Sequence, residues 1–214
     1  MSVSTIIEQL FQRYPQLEPL HRKILEATEI IIGCYTSGGK LLICGNGGSC
    51  SDSEHMVGEL MKSFEAKRPL GNEVSQRLIE LSGDNGMFLS QKLEKGLPAI
   101  SLTSQTALIT AICNDMDASL IFAQQIINYG KVNDVLIAIS TSGNSQNVVN
   151  GCIAAKAINM KVIGFTGNKG GKINRFSDIL LNVPESRTSY IQELQLPIMH
   201  AICLITENHF FSPK

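Results

Sequence analysis

The segment from Leu41 to Leu60 constrains the fold of this chain most, because a strand, a turn and a helix follow one another within it. The apolar run Leu41–Cys44 stops at the sequence GNGGS, and small polar residues typical of a helix N-terminus come next. Glycines allow backbone N–H groups to approach a ligand closely, and a helix N-terminus carries partial positive charge. The segment predicts an anion site, most commonly for phosphate, although a plain tight turn would fit this loop equally well if it stood alone.

Two side chains that can bind metal or transfer protons follow the glycine-rich turn. His55 and Glu59 lie four residues apart in the helical pattern and therefore share one helix face, one to two turns from the anion. The turn is not a P-loop, since it lacks the Lys-Ser/Thr ending, and its glycine spacing is not that of a dinucleotide fold. A solvated pair on a helix surface is the alternative for an isolated H-x-x-x-E pattern.

A second loop of the same kind strengthens the prediction of an anion site. The continuous apolar run Val135–Ile139 fits a strand buried on both faces, and residues 140–145, STSGNS, follow it directly. Their hydroxyl and N–H groups can bind several anion oxygens but carry no positive charge, which suits a phosphate monoester on a neutral organic molecule. The alternative is an ordinary helix N-cap, but a cap needs one of these serines rather than three.

Apolar runs and helical patterns alternate along the chain after an N-terminal pair of helices. The predicted strands are Leu41–Cys44, Ala99–Leu102, Val135–Ile139, Lys161–Thr166 and Asp178–Val183. The predicted helices are Val3–Arg13, Glu18–Thr36, one from the glycine-rich turn to about Phe64, Gln105–Cys113, Ala118–Asn128, Gln146–Ile158 and one from about Gln195 to Asn208. This order predicts an α/β fold, a three-layer αβα sandwich with a mainly parallel central sheet. Both loops fall at the carboxyl ends of strands, where such sheets bind ligands.

The composition limits the class of protein. At 214 residues, with 43% hydrophobic and 17% charged residues, the chain is expected to form one soluble globular domain that also buries surface in an oligomer. A net charge of −1 argues against nucleic acid as a partner. No run is long enough to span a membrane, and the polar N-terminus does not resemble a signal peptide, so a cytoplasmic location and reduced cysteines are expected.

Three motifs together resemble the sugar isomerase (SIS) domain. They are GNGGS followed by H-x-x-x-E, the STSGNS loop, and Ile191-Gln192-Glu193 with His200 eight residues after the glutamine. The chain is most similar to the bacterial phosphoheptose isomerase branch, whose members convert sedoheptulose 7-phosphate to D-glycero-D-manno-heptose 7-phosphate. The motifs are specific as a set, whereas the serine loop alone marks only the wider domain.

The resemblance runs from Glu18 to Phe210, apart from an insertion at residues 71–96. It implies a single SIS domain over residues 1–214, with a flavodoxin-like sheet and N-terminal helices at residues 1–37. It also implies a homotetramer with active sites between subunits, for which D₂ is the usual closed symmetry. Apolar residues at helical spacing in the N-terminal helices also favour a partner. These residues are Ile6, Ile7, Leu10, Phe11, Leu20, Ile24, Leu25, Thr28 and Ile31.

The chemistry of an aldose–ketose isomerase requires particular side chains. Moving a proton between C1 and C2 through an enediol needs a base, a proton donor and stabilisation of the oxyanion. Glu59 and His200 are the candidate acid–base residues. The resemblance implies one zinc ion per subunit, bound by His55, Glu59, Gln192 and His200, which would polarise the carbonyl. A satisfied core histidine is the alternative for His200, because apolar residues surround it in the sequence.

The resemblance also implies a set of substrate contacts. These residues are Asn46, Gly47, Gly48, Ser49, Glu59, Asn114, Asp115, Ser140, Thr141, Ser142, Ser145 and Gln192. The hydroxyl groups of the serine loop would hold the phosphate. Asn114 and Asp115, expected on a loop after a helix, would contact sugar hydroxyls, and plain turn chemistry is the alternative for this pair.

The spacing of Gln192 and His200 poses a geometric problem for a shared metal ion. Eight residues of straight helix separate two side chains by roughly 12 Å and by about 80° around the axis. Pro197 lies between them and would kink a continuous helix. Two solutions are open at this point: Gln192 precedes the helix, or the two ligands come from different subunits.

The insertion at residues 71–96 is the largest departure from the family pattern. It is amphipathic in part, which fits a lid over the sugar, an oligomer contact or a surface decoration. A lid would change the substrate preference, so isomerisation of another sugar phosphate is one alternative function.

A non-catalytic SIS module is the other alternative. Such a module would be a phosphosugar sensor or an adaptor like the replication-initiator-associating protein of similar fold. The resemblance implies that the adaptor branch lacks the acid at the position of Glu59 and the histidine at the position of His200. Because this chain has both residues, the enzyme is favoured.

Overall fold

The computed structural model describes residues 1–212, so the last two residues of the predicted domain lie outside the described chain. The described residues form a five-stranded sheet: β1 (Leu41–Gly45), β2 (Ala99–Ser101), β3 (Val135–Ile139), β4 (Lys161–Thr166) and β5 (Ile179–Asn182). All neighbouring strands are parallel, in the order β2-β1-β3-β4-β5. The predicted α/β class with a mainly parallel sheet is confirmed, and this strand order is that of flavodoxin-like folds.

β1 and β3 lie at the centre of the sheet because their side chains are apolar on both faces. Every residue of both strands is buried. The strands pair in register, with Leu41 opposite Val135 and Gly45 opposite Ile139. The strand order reverses between them, so the loops that follow β1 and β3 flank the crevice in which such sheets bind ligands.

Helices cover both faces of the sheet, as the predicted three-layer arrangement requires. They are α1 (Val3–Arg13), α2 (His21–Thr36), α3 (Gly48–Met61), α4 (Asn72–Lys92), α5 (Thr106–Asp115), α6 (Ile121–Tyr129), α7 (Gln146–Ala157) and α8 (Thr188–Phe211), with 3-10 helices at Pro15–Leu20, Ala118–Leu120 and Lys172–Phe176. One apolar cluster packs α1, α2, α3 and α8 on one face of the sheet, and a second packs α6 and α7 on the other. Along residues 1–212, no helix has both the length and the hydropathy needed to cross a membrane.

The last helix differs from its prediction. α8 begins at Thr188, not near Gln195, and continues through Pro197 as one helix. The hypothesis that Gln192 precedes the helix is therefore wrong. A proline leaves the carbonyl four residues earlier without its N–H partner. That residue is Glu193, which is exposed, so water can bond to its carbonyl and the helix continues.

The segment of residues 71–96 contains α4, which is broken at its middle. Gly83 adopts a left-handed φ of 49°, and after this break Gly86 lies directly against the backbone of Leu78. Several large apolar side chains of the segment are exposed to solvent. They are Val74, Ile79, Leu81, Met87, Phe88 and Leu93. Its role as a lid, an oligomer contact or a decoration stays a prediction.

The apolar residues of the N-terminal helices are largely buried within the chain itself. Ile6, Ile7 and Leu10 of α1 and Ile24 and Ile31 of α2 are at most 6% exposed. They belong to the cluster that also contains α8 and the sheet. These side chains therefore give no independent reason to expect a partner subunit.

Candidate active site

The two predicted anion loops lie side by side at the carboxyl end of the sheet. The glycine-rich loop, residues 45–49, follows β1, and the serine loop, residues 140–145, follows the adjacent β3. A reciprocal pair of amide hydrogen bonds joins the two regions. Asn46 and Asn147 each donate Nδ2–H to Oδ1 of the other, at 2.9 Å. The pair fixes the spacing of the two loops, as a ligand that contacts both would require.

The glycine-rich loop allows a close approach of backbone and side chain. Gly47 has a φ of 57°, a conformation that suits glycine. A Cβ at Gly48 would lie 2.3 Å from the side-chain nitrogen of Gln192, so this amide lies directly over the loop. Asn46, Gly47 and Gly48 are exposed, whereas Ser49 is only 3% exposed. The loop therefore presents Asn46 and backbone groups to the crevice, covered by Gln192.

The serine loop presents hydroxyl groups at the N-terminus of α7. Ser140 is 3% exposed, and its Oγ lies 3.1 Å from Oγ of Ser145, the N-cap residue. Ser142 is exposed, and its Oγ accepts a hydrogen bond from the backbone N–H of Asn144 at 3.1 Å. Thr141, between them, is half-buried. These hydroxyls and the positive end of α7 suit a phosphate dianion.

The structure brings His55, Glu59 and His200 of one chain together. Nε2 of His55 lies 3.1 Å from Oε1 of Glu59 and 3.4 Å from Nε2 of His200. The two imidazole rings meet edge to face, with centroids 5.1 Å apart. Oε2 of Glu59 is buried and has no hydrogen-bond partner within the described residues. A carboxylate oxygen with free lone pairs beside two imidazoles is an arrangement that can accept and pass on a proton.

The surroundings of His200 favour its neutral form. Burial lowers its pKa below the ordinary value, and the charges of His55 and Arg13 lower the pKa further, against the opposing effect of Glu59. The ring of Phe64 packs on the imidazole with centroids 5.5 Å apart. A neutral imidazole can accept a proton or bind a metal ion, and His200 is therefore available for either role near neutral pH.

The donor atoms of this cluster suit zinc. Zinc accepts imidazole nitrogen and carboxylate oxygen, and neighbouring donors around a tetrahedral ion lie about 3.3 Å apart when the bonds are about 2.0–2.1 Å. The distances from Nε2 of His55, 3.1 Å to Glu59 and 3.4 Å to His200, are of this size. Across residues 1–212, no three His, Cys, Asp or Glu side chains are arranged as a complete metal cage. The three side chains would therefore have to turn toward a common point to share one ion.

Within residues 1–212, no hydrogen bond joins the side chain of Gln192 to these three side chains. Gln192 covers Gly48, which precedes His55 by about two turns of α3, or roughly 10 Å. α3 and α8 pack against each other, and Gln192 meets the start of α3 while His200 meets its middle. The eight-residue separation of Gln192 and His200 on α8 therefore matches the separation of Gly48 and His55 on α3. One chain places His200 at the cluster and Gln192 at the glycine-rich loop, so a partner subunit is not needed to join His200 with Glu59.

Asn114 and Asp115 lie at the C-terminal end of α5, so their predicted position on a loop is wrong. The helix continues through them because the backbone N–H of Met116 still bonds to the carbonyl of Ile112. Both side chains are exposed, and Nδ2 of Asn114 donates to Oδ1 of Asp115 at 2.7 Å. Within the part of the chain that the structure describes, no other hydrogen bond joins them to a predicted site residue, and their contact with sugar stays a prediction.

Two further polar side chains belong to the site and were not assigned from the sequence. Asp52 lies on α3 between the glycine-rich loop and His55; burial raises its pKa, against the effect of His55. Its Oδ2 is buried without a partner inside residues 1–212. The position of Asp52, three residues before His55 on one helix face, was an available signal. Asn147, which is hydrogen-bonded to Asn46, lies in no sequence motif that would have indicated its role.

Comparison with known proteins finds a matching family model and relatives that align over most of their length. The model of the SIS domain matches residues 7–78 and 85–167. A phosphoheptose isomerase from Methylibium petroleiphilum is 40% identical over 189 residues, which cover 87% of this chain and 82% of that protein. The residues between the two matched parts lie within α4 and include its kink at Ser82 and Gly83.

Two solved structures are similar to the whole chain. The phosphoheptose isomerase GmhA from Neisseria gonorrhoeae has 33% identity and a TM-score of 0.74, covering 96% of this chain and 97% of that one. A phosphoheptose isomerase from Francisella tularensis has 31% identity and a TM-score of 0.76, covering 97% and 100%. The likeness therefore extends across the sheet, both anion loops and the helices α3 and α8.

Proposed function

The chain belongs to the SIS-domain family and is an isomerase of the phosphoheptose isomerase group, and on this premise we propose the reaction that it catalyses. The reaction is the interconversion of sedoheptulose 7-phosphate and D-glycero-D-manno-heptose 7-phosphate through an enediol. The observation that carries the proposal is the contact of Glu59 and His200 with His55, beside two loops suited to a phosphorylated sugar. The names of the relatives support the heptose as substrate.

The proposed roles follow from the positions of the side chains. Glu59 removes a proton from C1 of the ketose and, after exchange with solvent, delivers a proton to C2, using the oxygen that has no partner in the described chain. His200, held neutral, passes a proton between the two sugar oxygens. Gln192 and Asn46 contact the sugar at the glycine-rich loop, and Ser140, Thr141, Ser142 and Ser145 bind the phosphate.

Zinc is part of the proposal, as one ion per subunit. His55, Glu59 and His200 would hold it after turning toward a common point, because their donor types fit this metal and His55 lies close to both of the others. The resemblance adds Gln192 as a ligand, but in one chain this side chain lies over Gly48. When bound, zinc supplies a Lewis acid that polarises the carbonyl and stabilises charge on oxygen.

The substrate is tested by incubating the purified protein with a panel of five- to seven-carbon ketose phosphates. We expect sedoheptulose 7-phosphate to give the highest kcat/KM and the corresponding aldose phosphate as product. A faster reaction with a shorter sugar would keep the isomerase and overturn the heptose. The amphipathic segment of residues 71–96 is the first place to look for the cause of such a preference.

Phosphate binding by the serine loop gives a prediction for affinity. Replacing both Ser140 and Ser142 by alanine should raise KM more than it lowers kcat, because the phosphate is bound equally in the ground state and the transition state. Sedoheptulose 7-phosphate at a hundred times its Kd should stabilise the protein by about 2.7 kcal/mol, which raises the Tm by roughly 5–10 °C. Unphosphorylated sedoheptulose is the matched control, and equal protection by it would contradict this assignment.

We propose a homotetramer in the cytoplasm, with sugar phosphate rather than nucleic acid or membrane as the partner. A groove of about 400 Å³ between α1 and α8 opens beside His200, and side chains of a second subunit would fit there. Light scattering should give the mass of four chains of 23.3 kDa.

Mixing inactive Glu59→Gln and His200→Ala chains should not restore activity, because one chain supplies both residues to a site. A fully active monomer would contradict the tetramer.

A further inference from the structure

We propose that the buried ion pair of Arg68 and Glu207 is a positioning clamp for the acid–base residues, an inference that rests on the proposed isomerase function. The Arg68 side chain is 0% exposed and that of Glu207 is 1% exposed. Oε1 of Glu207 lies 2.7 Å from the Arg68 Nη2 and 2.8 Å from its Nε. Because desolvation offsets most of the attraction, a buried pair adds little net stability over apolar residues of similar volume. Its contacts point to a role in geometry.

Arg68 holds the end of the helix that carries Glu59. Its Nη1 donates to the carbonyl of Leu60 at 2.6 Å, and its Nη2 donates to the carbonyl of Glu59 at 3.1 Å. The last carbonyls of a helix have no partner within the helix, so the guanidinium fixes the final turn of α3. The backbone of the proposed base is thus bonded to a side chain that cannot move without breaking the ion pair.

Glu207 holds the segment that packs on His200. Its Oε1 accepts the N–H of Phe64 at 2.8 Å, and its Oε2 accepts those of Glu65 and Ala66 at 2.9 and 3.1 Å. Burial alone would raise the pKa of Glu207, but these three donors and Arg68 outweigh it and keep the pKa below its ordinary value. Phe64, fixed in this way, presents its ring to the imidazole of His200.

The pair therefore connects both halves of the acid–base cluster. Arg68 bonds to the α3 backbone at Glu59, while Glu207 lies on α8, two turns after His200, and positions the ring that packs on it. A displacement of about 1 Å between reacting groups can cost about 10²-fold in rate. Loosening the pair should therefore lower turnover even though neither residue contacts the substrate.

The test compares this pair with a second ion pair at the other end of the sheet, in which the carboxylate is buried and the ammonium is partly exposed. Asp134, 2% exposed, accepts the backbone N–H groups of Lys40 and Lys131 and pairs with the Lys40 ammonium just before β1 and β3. Asp134→Asn is thus a matched control for Glu207→Gln, with Arg68→Lys as a second clamp variant. The urea unfolding curve of each variant is measured first. Kinetics are then measured under conditions in which every variant is folded.

We expect the clamp variants to lower kcat by about tenfold or more with KM changed by less than about threefold, since the serine loop is untouched. Asp134→Asn should stay within about twofold of wild type in kcat, even with a similar loss of stability. Equal losses of kcat in Glu207→Gln and Asp134→Asn would overturn the clamp. If the pair variants do not fold, Phe64→Leu, which keeps the pair, should lower kcat several-fold, and an unchanged kcat would overturn the clamp equally.

A readout independent of activity separates this inference from the proposed function. In crystal structures, Glu207→Gln should move the Phe64 ring away from His200 and widen the separation of Glu59 and His200, while Asp134→Asn should leave both unchanged. Unmoved residues in Glu207→Gln would overturn the clamp. A wild-type protein without isomerase activity would refute the proposed function, and the crystal structures would still decide whether the pair positions these side chains.

Discussion

Replacing Glu59 by glutamine should lower isomerase turnover by about 10²–10⁴-fold, the usual loss when a general base is removed. The amide has the volume of the carboxylate and can still bond to His55, so the fold should be kept. It cannot accept a proton from carbon, however, and Oε2 of Glu59, which has no partner among residues 1–212, is the oxygen placed to do so. Turnover with sedoheptulose 7-phosphate is the measurement, with circular dichroism as the check on folding.

Glu54→Gln is the matched control for this substitution. Glu54 lies on the same helix, but its carboxylate accepts hydrogen bonds from Thr103 and Ser104 rather than facing His55. Its replacement should leave turnover within about twofold of wild type, since surface changes of this kind have small effects. If Glu59→Gln retains more than about a tenth of wild-type turnover, Glu59 is not the base.

Removing zinc should have the second largest effect. A Lewis acid at the carbonyl contributes several kcal/mol, so chelation should lower turnover by about 10²-fold or more. The protein as isolated should contain up to one zinc per chain by elemental analysis. Added zinc should restore activity, whereas magnesium should not, because magnesium prefers six oxygen ligands.

His55→Ala separates loss of the metal from loss of the base. It keeps Glu59 and His200 but removes the side chain that contacts both. The purified variant should contain far less zinc than wild type, a result read without any assay of turnover. An active wild-type preparation free of transition metal would refute the zinc site and leave the proton-transfer roles standing.

The centre of the fold could be predicted from local sequence. β3 has the predicted bounds and β1 extends one residue beyond its prediction, because their apolar runs are bounded by glycine, serine and aspartate. Burial on both faces then required a parallel sheet covered by helices. The position of both loops at the carboxyl ends of parallel strands followed from the same pattern, whereas the adjacency of β1 and β3 is a finding of the structure.

α8 was mispredicted because a local rule competed with tertiary packing. Pro197 suggested a kink, yet the apolar side of α8 is buried in the core and the one carbonyl that loses its partner is at an exposed residue. The core therefore holds the helix through the proline. Only the structure showed that Gln192 and His200 meet different turns of α3.

Other parts of the site depend on contacts between distant residues. The bonds of Asn46 with Asn147 join positions 101 residues apart, and that of Arg68 with Glu207 joins positions 139 apart. Neither pair has a local pattern that distinguishes it from surface amides or charges. Helical spacing linked His55 with Glu59, whereas only the family resemblance added His200 to the same site.

The reaction of sedoheptulose 7-phosphate in D₂O, followed by NMR, tests the central claim most directly. An enediol formed by Glu59 exchanges protons with the solvent, so the aldose phosphate should carry deuterium at C2, and Glu59→Gln should abolish both product and exchange. Full retention of hydrogen at C2 of the product, together with no exchange at C1 of the recovered ketose phosphate, would contradict an enediol in exchange with solvent. Neither product nor exchange from any ketose phosphate of the panel, with or without zinc, would contradict the isomerase proposed for this site.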